Sequence, residues 1–231
     1  MEEPMLERLT AMLADQLGDR DLAADLAPRL WDVGFSWNAP TIRAGAIDCI
    51  VAYAFGNRPR PGPPAAHTAS LTDRLDLPGP VNALLADAVV ALRRIRPAPV
   101  FAQWEIAHCL SATPSPSDVV SIEPIVNEAG EVVYLSTEGV ARAAVEAHGG
   151  DPAAMGTVAV VAHRDHLKRC VQISRAVGMN AFAAEEIELP LAYDPHSGQP
   201  WTRRRDIYLL HDMCAQLAVH RAEAIARAAS E

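Results

Sequence analysis

The chain has 231 residues, half of them apolar, with 29 acidic against 20 basic side chains and a formal charge of −9. That length supports one domain with a full hydrophobic core, and the acidic balance argues against a basic face for nucleic acid. No apolar run approaches the roughly 20 residues that cross a bilayer, and the opening stretch is acidic and amphipathic rather than basic and then apolar. A soluble, cytoplasmic protein with no membrane partner is therefore expected.

The first 32 residues predict two helices. Met5, Leu6, Leu9, Met12 and Leu13 recur at helical spacing, "DLAADLAPRLWDV" repeats the pattern after Gly18, and Pro28 is expected to limit the second helix. The run "AGAIDCIVAYAFGN" is apolar without alternation and stops at Gly56, as a strand buried on both faces does. Residues 58–80 are too rich in proline for a long regular element and read either as a surface loop or as a lid over a site. "VNALLADAVVALRRI" predicts a helix closed by Arg93, Arg94 and Pro97.

A second strand, "APVFAQ", leads into the helix "WEIAHCLSA". Strand candidates "DVVSIEPIV" and "EVVYLS" flank the turn at residues 127–130, and "TEGVARAAVEAHGG" is a helix stopped by paired glycines. Then come the strand "TVAVVA", the helix "HLKRCVQISRAVG", the strand "NAFAAEEIELP" and a terminal helix over 201–229. Strands alternating with helices from residue 46 onward predict an α/β fold: a three-layer sandwich with a mainly parallel sheet of five or six strands, extra N-terminal helices and a long C-terminal helix. The expected division is a helical extension over 1–45, packed on a main domain over 46–231.

Cys49, Cys109, Cys170 and Cys214 form no C-x-x-C pair and read as buried, reduced thiols. Polar residues gather where predicted strands give way to helices: Asn57; Gln103, Trp104 and Glu105; Ser121 and Glu123; Ser136 and Thr137; His163, Arg164, Asp165 and His166. In open α/β sheets that edge is where ligands bind. His166 and Arg169 are three apart, beside helix N–H groups able to receive an anion; the alternative is a charged, solvated helix face. In "YDPHSGQPWTRRRDIY", Trp201 and the cations Arg203, Arg204 and Arg205 open a helix, where added positive charge needs an anionic partner. That partner is either a ligand or an acid of the chain itself. His163, His166, Glu105 and Asp165 are of metal-ligand type, but no H-E-x-x-H motif is present. The histidines at 67, 108, 148, 211 and 220 read as surface or core residues.

The block "VAVVAHRDHLKRCVQISRAVGM" resembles the strand, His-x-x-Arg corner and helix of the YdcF/SanA/ElyC family of bacterial proteins, with His166 and Arg169 at the two motif positions. In the same order, "AIDCIVAYAFG" resembles the family's opening strand with its aspartate, here Asp48; "AQWEIAHCL" resembles its second strand and following acid, here Glu105; and "YLSTEGVARAAVE" resembles its Asn-Thr-x-Glu-Asn segment, of which Thr137 is kept. The family's glycine pair after the second strand is replaced by Gln103 and Trp104, and Gly139 and Val140 stand in the third block. The resemblance spans residues 46–220. It implies a Rossmann-like fold and a nucleotide-type cofactor such as S-adenosylmethionine.

The reading that follows is a YdcF-like protein that binds and transforms a small polar or anionic metabolite, or a nucleotide-type cofactor, in a tailoring step of bacterial metabolism. Acid/base chemistry of transferase or hydrolase type is assigned to His166 and Glu105. Arg169, Asp48, Thr137, Asn57, Gln103, His163, Trp201 and Arg203 are expected to bind substrate, with no metal site. The alternatives are a non-catalytic ligand-binding or regulatory module and a metal-assisted hydrolase using His163 and His166. The N-terminal helices either pack on the domain or pair with a second copy, so a homodimer is a further expectation.

Overall fold

The structure is a computed structural model that describes residues 2–62, 70–111 and 118–229. The chain forms two compact units, one of residues 1–38 with 209–231 and the other of residues 39–208. None of the described helices is long and apolar enough to cross a membrane.

In the helical unit, α1 (Glu2–Leu17) and α2 (Arg20–Phe35) pack against each other. The connection needs the left-handed conformation of Gly18, and Asp19 caps α2 by accepting the Leu22 N–H at 2.9 Å. Pro28 does not limit α2, which runs through it to Phe35. The missing N–H removes one intrahelical bond, but Ala23, Ala27 and Val33 are buried on either side of it and hold the helix. The last helix, α8 (Arg205–Ala228), gives its first turn to the sheet unit and the rest to the helical one, where buried Gln216 donates to buried Asp212 at 2.7 Å.

The sheet unit holds β1 (Thr41–Ile42), β2 (Cys49–Ala52), β3 (Val100–Gln103), β4 (Val119–Ile122), β7 (Thr157–Val161) and β8 (Asn180–Ala184) in the order β1-β8-β7-β2-β3-β4, all parallel. Helix α3 (Leu71–Arg74) is a single turn; α4 (Pro80–Ile95) and α5 (Trp104–Ser111) cover one face of the sheet, and α6 (Thr137–His148) and α7 (Leu167–Ala176) the other.

Strand β2 shows why its sequence is continuously apolar. Ile50 and Ala52 pack with Leu85, Val89 and Ile106 of α4 and α5, whereas Cys49 and Val51 pack with Val140, Ala144 and Val171 of α6 and α7. With side chains alternating between two buried faces, no position is left for a polar residue. The fold is thus α/β with a parallel sheet between two helical layers, as its sequence pattern predicts.

Three details differ from the sequence reading. Residues 41–42, expected in the helical extension, form the edge strand β1, too short to carry a pattern. The strands expected over 118–135 divide: β4 joins the sheet, whereas β5 (Ile125–Val126) and β6 (Val132–Val133) make a separate antiparallel ribbon closed by Gly130 at φ +78°. Finally, Cys49 and Cys170 are buried thiols, but Cys214 is exposed.

The order of connections fixes the place of interest. From β2 the chain moves outward to β3 and β4, and later fills the other side with β7 and β8. The neighbours β2 and β7 therefore flank a topological switch point, and in such sheets a crevice opens beyond the carboxyl ends of those strands.

Candidate functional site

Beyond β2 and β7 the chain places Phe55 and His163 face to face, with ring centroids 3.9 Å apart. His163 is 0 % exposed. Its Nδ1 accepts the Asp165 N–H at 3.3 Å, which leaves Nε2 to donate to the Ala192 carbonyl at 3.2 Å. Burial pushes its pKa down to about 4, so the ring is neutral. His163, expected to contact substrate, instead orders the corner, and with both nitrogens engaged it has no lone pair for the metal that the hydrolase alternative requires. Among the described residues no group of three or more His, Cys, Asp or Glu is placed to hold a metal ion.

His166 stands at the N-terminus of α7, its ring edge-on to Tyr208 at 6.0 Å. One turn further on, Arg169 donates to the Thr137 hydroxyl at 3.0 Å and to the Tyr208 hydroxyl at 3.3 Å. Thr137 is presented by the first turn of α6, which Ser136 caps by accepting the Gly139 N–H at 3.1 Å. His166 and Arg169 thus meet at Tyr208, and Thr137 joins them through its bond to Arg169. The N–H groups expected to receive an anion are partly engaged already, since those of Asp165, His166 and Leu167 go to acceptors on His163 and Arg164.

The arginine run resolves in favour of intramolecular partners. Arg205 forks onto buried Asp165 at 2.9 and 3.1 Å, where Tyr193 also donates at 2.7 Å; Arg204 pairs with Asp206; Arg203 donates to the Ser197 carbonyl at 2.6 Å. Trp201 sits on a turn of 3-10 helix and is 38 % exposed. Arg203 is thus engaged within its own loop.

The same loop is fastened to the continuation of β2. Arg58 forks onto buried Asp194 at 2.7 and 2.9 Å, which holds the Asp194 carboxyl below its usual range. The carbonyl of Asn57, itself buried, accepts the Gly198 N–H at 2.7 Å and lies 3.2 Å from the Ser197 hydroxyl. Asn57 thus stands at the expected edge, joining segments through its backbone.

Gly56 makes that junction fit. It has φ +70°, and an added Cβ would lie 2.6 Å from both the Ser197 and Thr202 hydroxyl oxygens. Gly56→Ala is expected to cost about 2–4 kcal/mol, from left-handed strain plus displaced buried hydroxyls. Urea unfolding checks this, and a change below 1 kcal/mol would show that the loop yields instead.

At the neighbouring corner, Gln103 Oε1 accepts the Ala54 N–H at 3.0 Å and so ties the ends of β3 and β2 together. Trp104 and Glu105 then open α5 beside a cavity of about 450 Å³, whose walls include Trp104 and His108 of α5, Ser121 and Glu123 at the end of β4, and Arg60 and Asp76 from the proline-rich segment. The described ends of that segment are therefore a wall of the cavity, while residues 63–69, with His67, lie outside the described residues.

Glu105 is 1 % exposed, and its Oε2 has no hydrogen-bond partner among the described residues; the Trp104 indole N–H is likewise buried and unpartnered. Burial pushes the Glu105 carboxyl up to about 8, and the charges of Glu123 and Asp76 add to the effect. Tyr134 lies against Trp104 with ring centroids 6.3 Å apart, and its hydroxyl accepts the Asp76 N–H at 3.1 Å. Three residues on from Tyr134 comes Thr137, so one short segment serves both corners.

Asp48 does not belong to this edge. It precedes β2 at the amino ends of the strands, where its Oδ2 accepts the Thr157 N–H at 2.8 Å and comes close enough to Gly156 that a Cβ there would lie 2.3 Å from it. Its role is to fasten the start of β2 to the start of β7.

Phe55, Asp76, Tyr134 and Tyr208 were not singled out from sequence. Each looks there like an ordinary core or surface residue, and only the convergence of strand ends gives it a role. Comparison of the chain with protein-family models, with curated proteins and with solved structures finds no match.

Proposed function

We propose that this protein is YdcF-like and binds and transforms a small polar or anionic metabolite, or a nucleotide-type cofactor, at the carboxyl edge of its sheet, in a cytoplasmic tailoring step. The observation that carries the reading is the meeting of His166, Arg169 and Thr137 beyond the switch point, three residues that lie on two separate helices. Arg169 supplies a fixed positive charge with donors in a planar fork, suited to a carboxylate or phosphate. His166 supplies an imidazole, the side chain best matched to proton transfer near neutral pH. The carboxyl of Glu105, kept largely neutral by its surroundings, is a second proton-bearing group on the same edge of the sheet.

Thermal denaturation tests this with nucleotides, S-adenosylmethionine, phosphorylated metabolites and amino acids as probes. A ligand at about 100 times its Kd adds about 2.7 kcal/mol, which for a chain of this size raises Tm by roughly 5–10 °C. The expected result is a shift with one class in the wild type and none in the protein carrying His166→Ala and Arg169→Ala. Equal shifts in both proteins, or no shift with any class, would make the charged corner structural.

A further inference from the structure

We propose that residues 185–199 are a strap that closes the crevice beyond β2 and β7, with the Tyr193 ring as its plug, and that the strap opens as a unit while the sheet stays folded. This deepens the reading above by making access to the His166 edge a gated step. It rests on that reading only in taking the crevice as the ligand's place.

Ring geometry shows the plug. Phe55 continues β2 and His163 continues β7, and Tyr193 packs edge-on against both, with centroids 5.5 and 4.8 Å away. Its ring also lies 6.2 Å from that of Tyr208, where His166 and Arg169 meet. In an open parallel sheet the space beyond two such strand ends is where a ligand sits. Here a side chain of the protein itself sits there.

The strap is held differently from the sheet. Residues 185–199 contain neither helix nor strand, and a connection of about 15 residues without regular structure is uncommon in a compact domain unless it has a function. The residues it buries are polar, Asp194 and Ser197, whereas Ile187, Leu189 and Tyr193 are only partly buried and Leu191 is exposed. Its fastenings are polar too. Arg58 forks onto Asp194, Tyr193 donates to Asp165, and His163 donates to the Ala192 carbonyl. The Arg164 N–H reaches the Pro190 carbonyl at 3.1 Å, and the Gly198 N–H reaches that of Asn57 at 2.7 Å.

Water replaces such bonds at a small net cost, but it does not replace buried apolar area. The strap therefore opens far more often than the sheet unfolds. Opening lifts Tyr193 off Phe55 and releases Nε2 of His163, so the floor of the crevice meets solvent.

Hydrogen exchange followed by NMR on the intact protein tests this without a ligand. The Gly198 and Arg164 amides bridge the strap and the rest of the sheet unit, and Ile50, which donates to the Pro99 carbonyl at 2.9 Å, reports on the sheet. The two bridging amides are expected to share one protection factor, at least about a hundredfold below that of Ile50 and nearly independent of urea, whereas protection of Ile50 falls steeply with urea. Arg58→Gln should lower both bridging protection factors together, by roughly ten- to hundredfold. Tyr193→Phe, a milder change that keeps the ring and loses only the bond to Asp165, should lower them by roughly tenfold.

His163 is wholly buried while the strap is closed, so its modification by diethyl pyrocarbonate, located by mass spectrometry, should quicken in each variant by the same factor as the exchange. Equal protection of Ile50 and the bridging amides overturns the proposal, because the strap then opens only with the fold. Faster exchange of the bridging amides without faster modification of His163 also overturns it, because the strap then does not cover the crevice. The two readings fail separately. A strap that never opens leaves the thermal test of His166 and Arg169 as it stands, and a strap that opens over an edge no probe stabilises keeps the gate and removes the ligand.

Discussion

Glu105→Gln is expected to stabilise the protein, by an amount that grows with pH. The folded-state pKa of Glu105 is raised from the ordinary 4.5 to about 8. Below pH 4.5 both folded and unfolded chains hold the proton, and the carboxyl carries no differential cost. As the pH rises, the unfolded chain gives up its proton while the folded one must keep it or bury a charge, so stability falls steadily until the pH passes about 8. At 1.36 kcal/mol for each pKa unit the full loss is about 4–5 kcal/mol.

Glutamine removes this loss, because it has the shape of the protonated acid and nothing to ionise. Urea unfolding of the two proteins should show equal stability near pH 4.5 and a gap of about 4 kcal/mol near pH 8.5 in favour of the variant. A gap that does not widen with pH would mean that Glu105 ionises freely in the folded protein. A widening gap would mark Glu105 as a residue kept for something other than the stability of the fold.

The second large effect lies on the acid side and comes from His163. Its folded-state pKa is lowered from 6.5 to about 4, first by burial. Above pH 6.5 neither state carries the proton. Between pH 6.5 and pH 4 the unfolded chain is protonated and the folded chain is not, so stability is lost as the pH falls through that window, by about 3 kcal/mol. His163→Gln should be less stable than the wild type at pH 7, through the loss of the stack on Phe55 and the bond to Ala192. It should nonetheless show a shallower decline down to pH 4. Observation of the His163 ring protons by NMR gives a second test: titration near pH 6.5 would contradict a fully buried, neutral ring.

These two residues show how unevenly the candidate site is written in the sequence. Both stand at strand ends, both are of catalytic type, and both are expected from sequence to act on a ligand. In the structure His163 has its nitrogens satisfied by the chain itself, whereas Glu105 keeps a buried oxygen without a hydrogen-bond partner among the described residues. The difference lies in partners far away in sequence, Ala192 in one case and Asp76 and Glu123 in the other. Periodicity reports only on neighbours a few residues away. The same limit explains Arg203 and Trp201, whose charge and exposure are legible locally while the Ser197 carbonyl that engages Arg203 is not.

What the sequence by itself determines is the α/β architecture. Buried parallel strands announce themselves as short continuous apolar runs, and their crossover helices as 3.6-residue periodicity with glycine and proline stops, all of them local signals that survive without knowledge of the fold. The pairing of His166 and Arg169 is legible for the same reason, since three residues of helix separate them. The tertiary structure alone decides that Thr137 and Tyr208 complete this pair, that Asp48 stands at the opposite end of β2, and that the described ends of the proline-rich segment wall a cavity against Trp104. It decides them because hydrogen-bond satisfaction, burial and the electrostatic cost of a charge depend on which distant segments converge at a point, and that convergence is set by the order of strands in the sheet rather than by the order of residues in the chain.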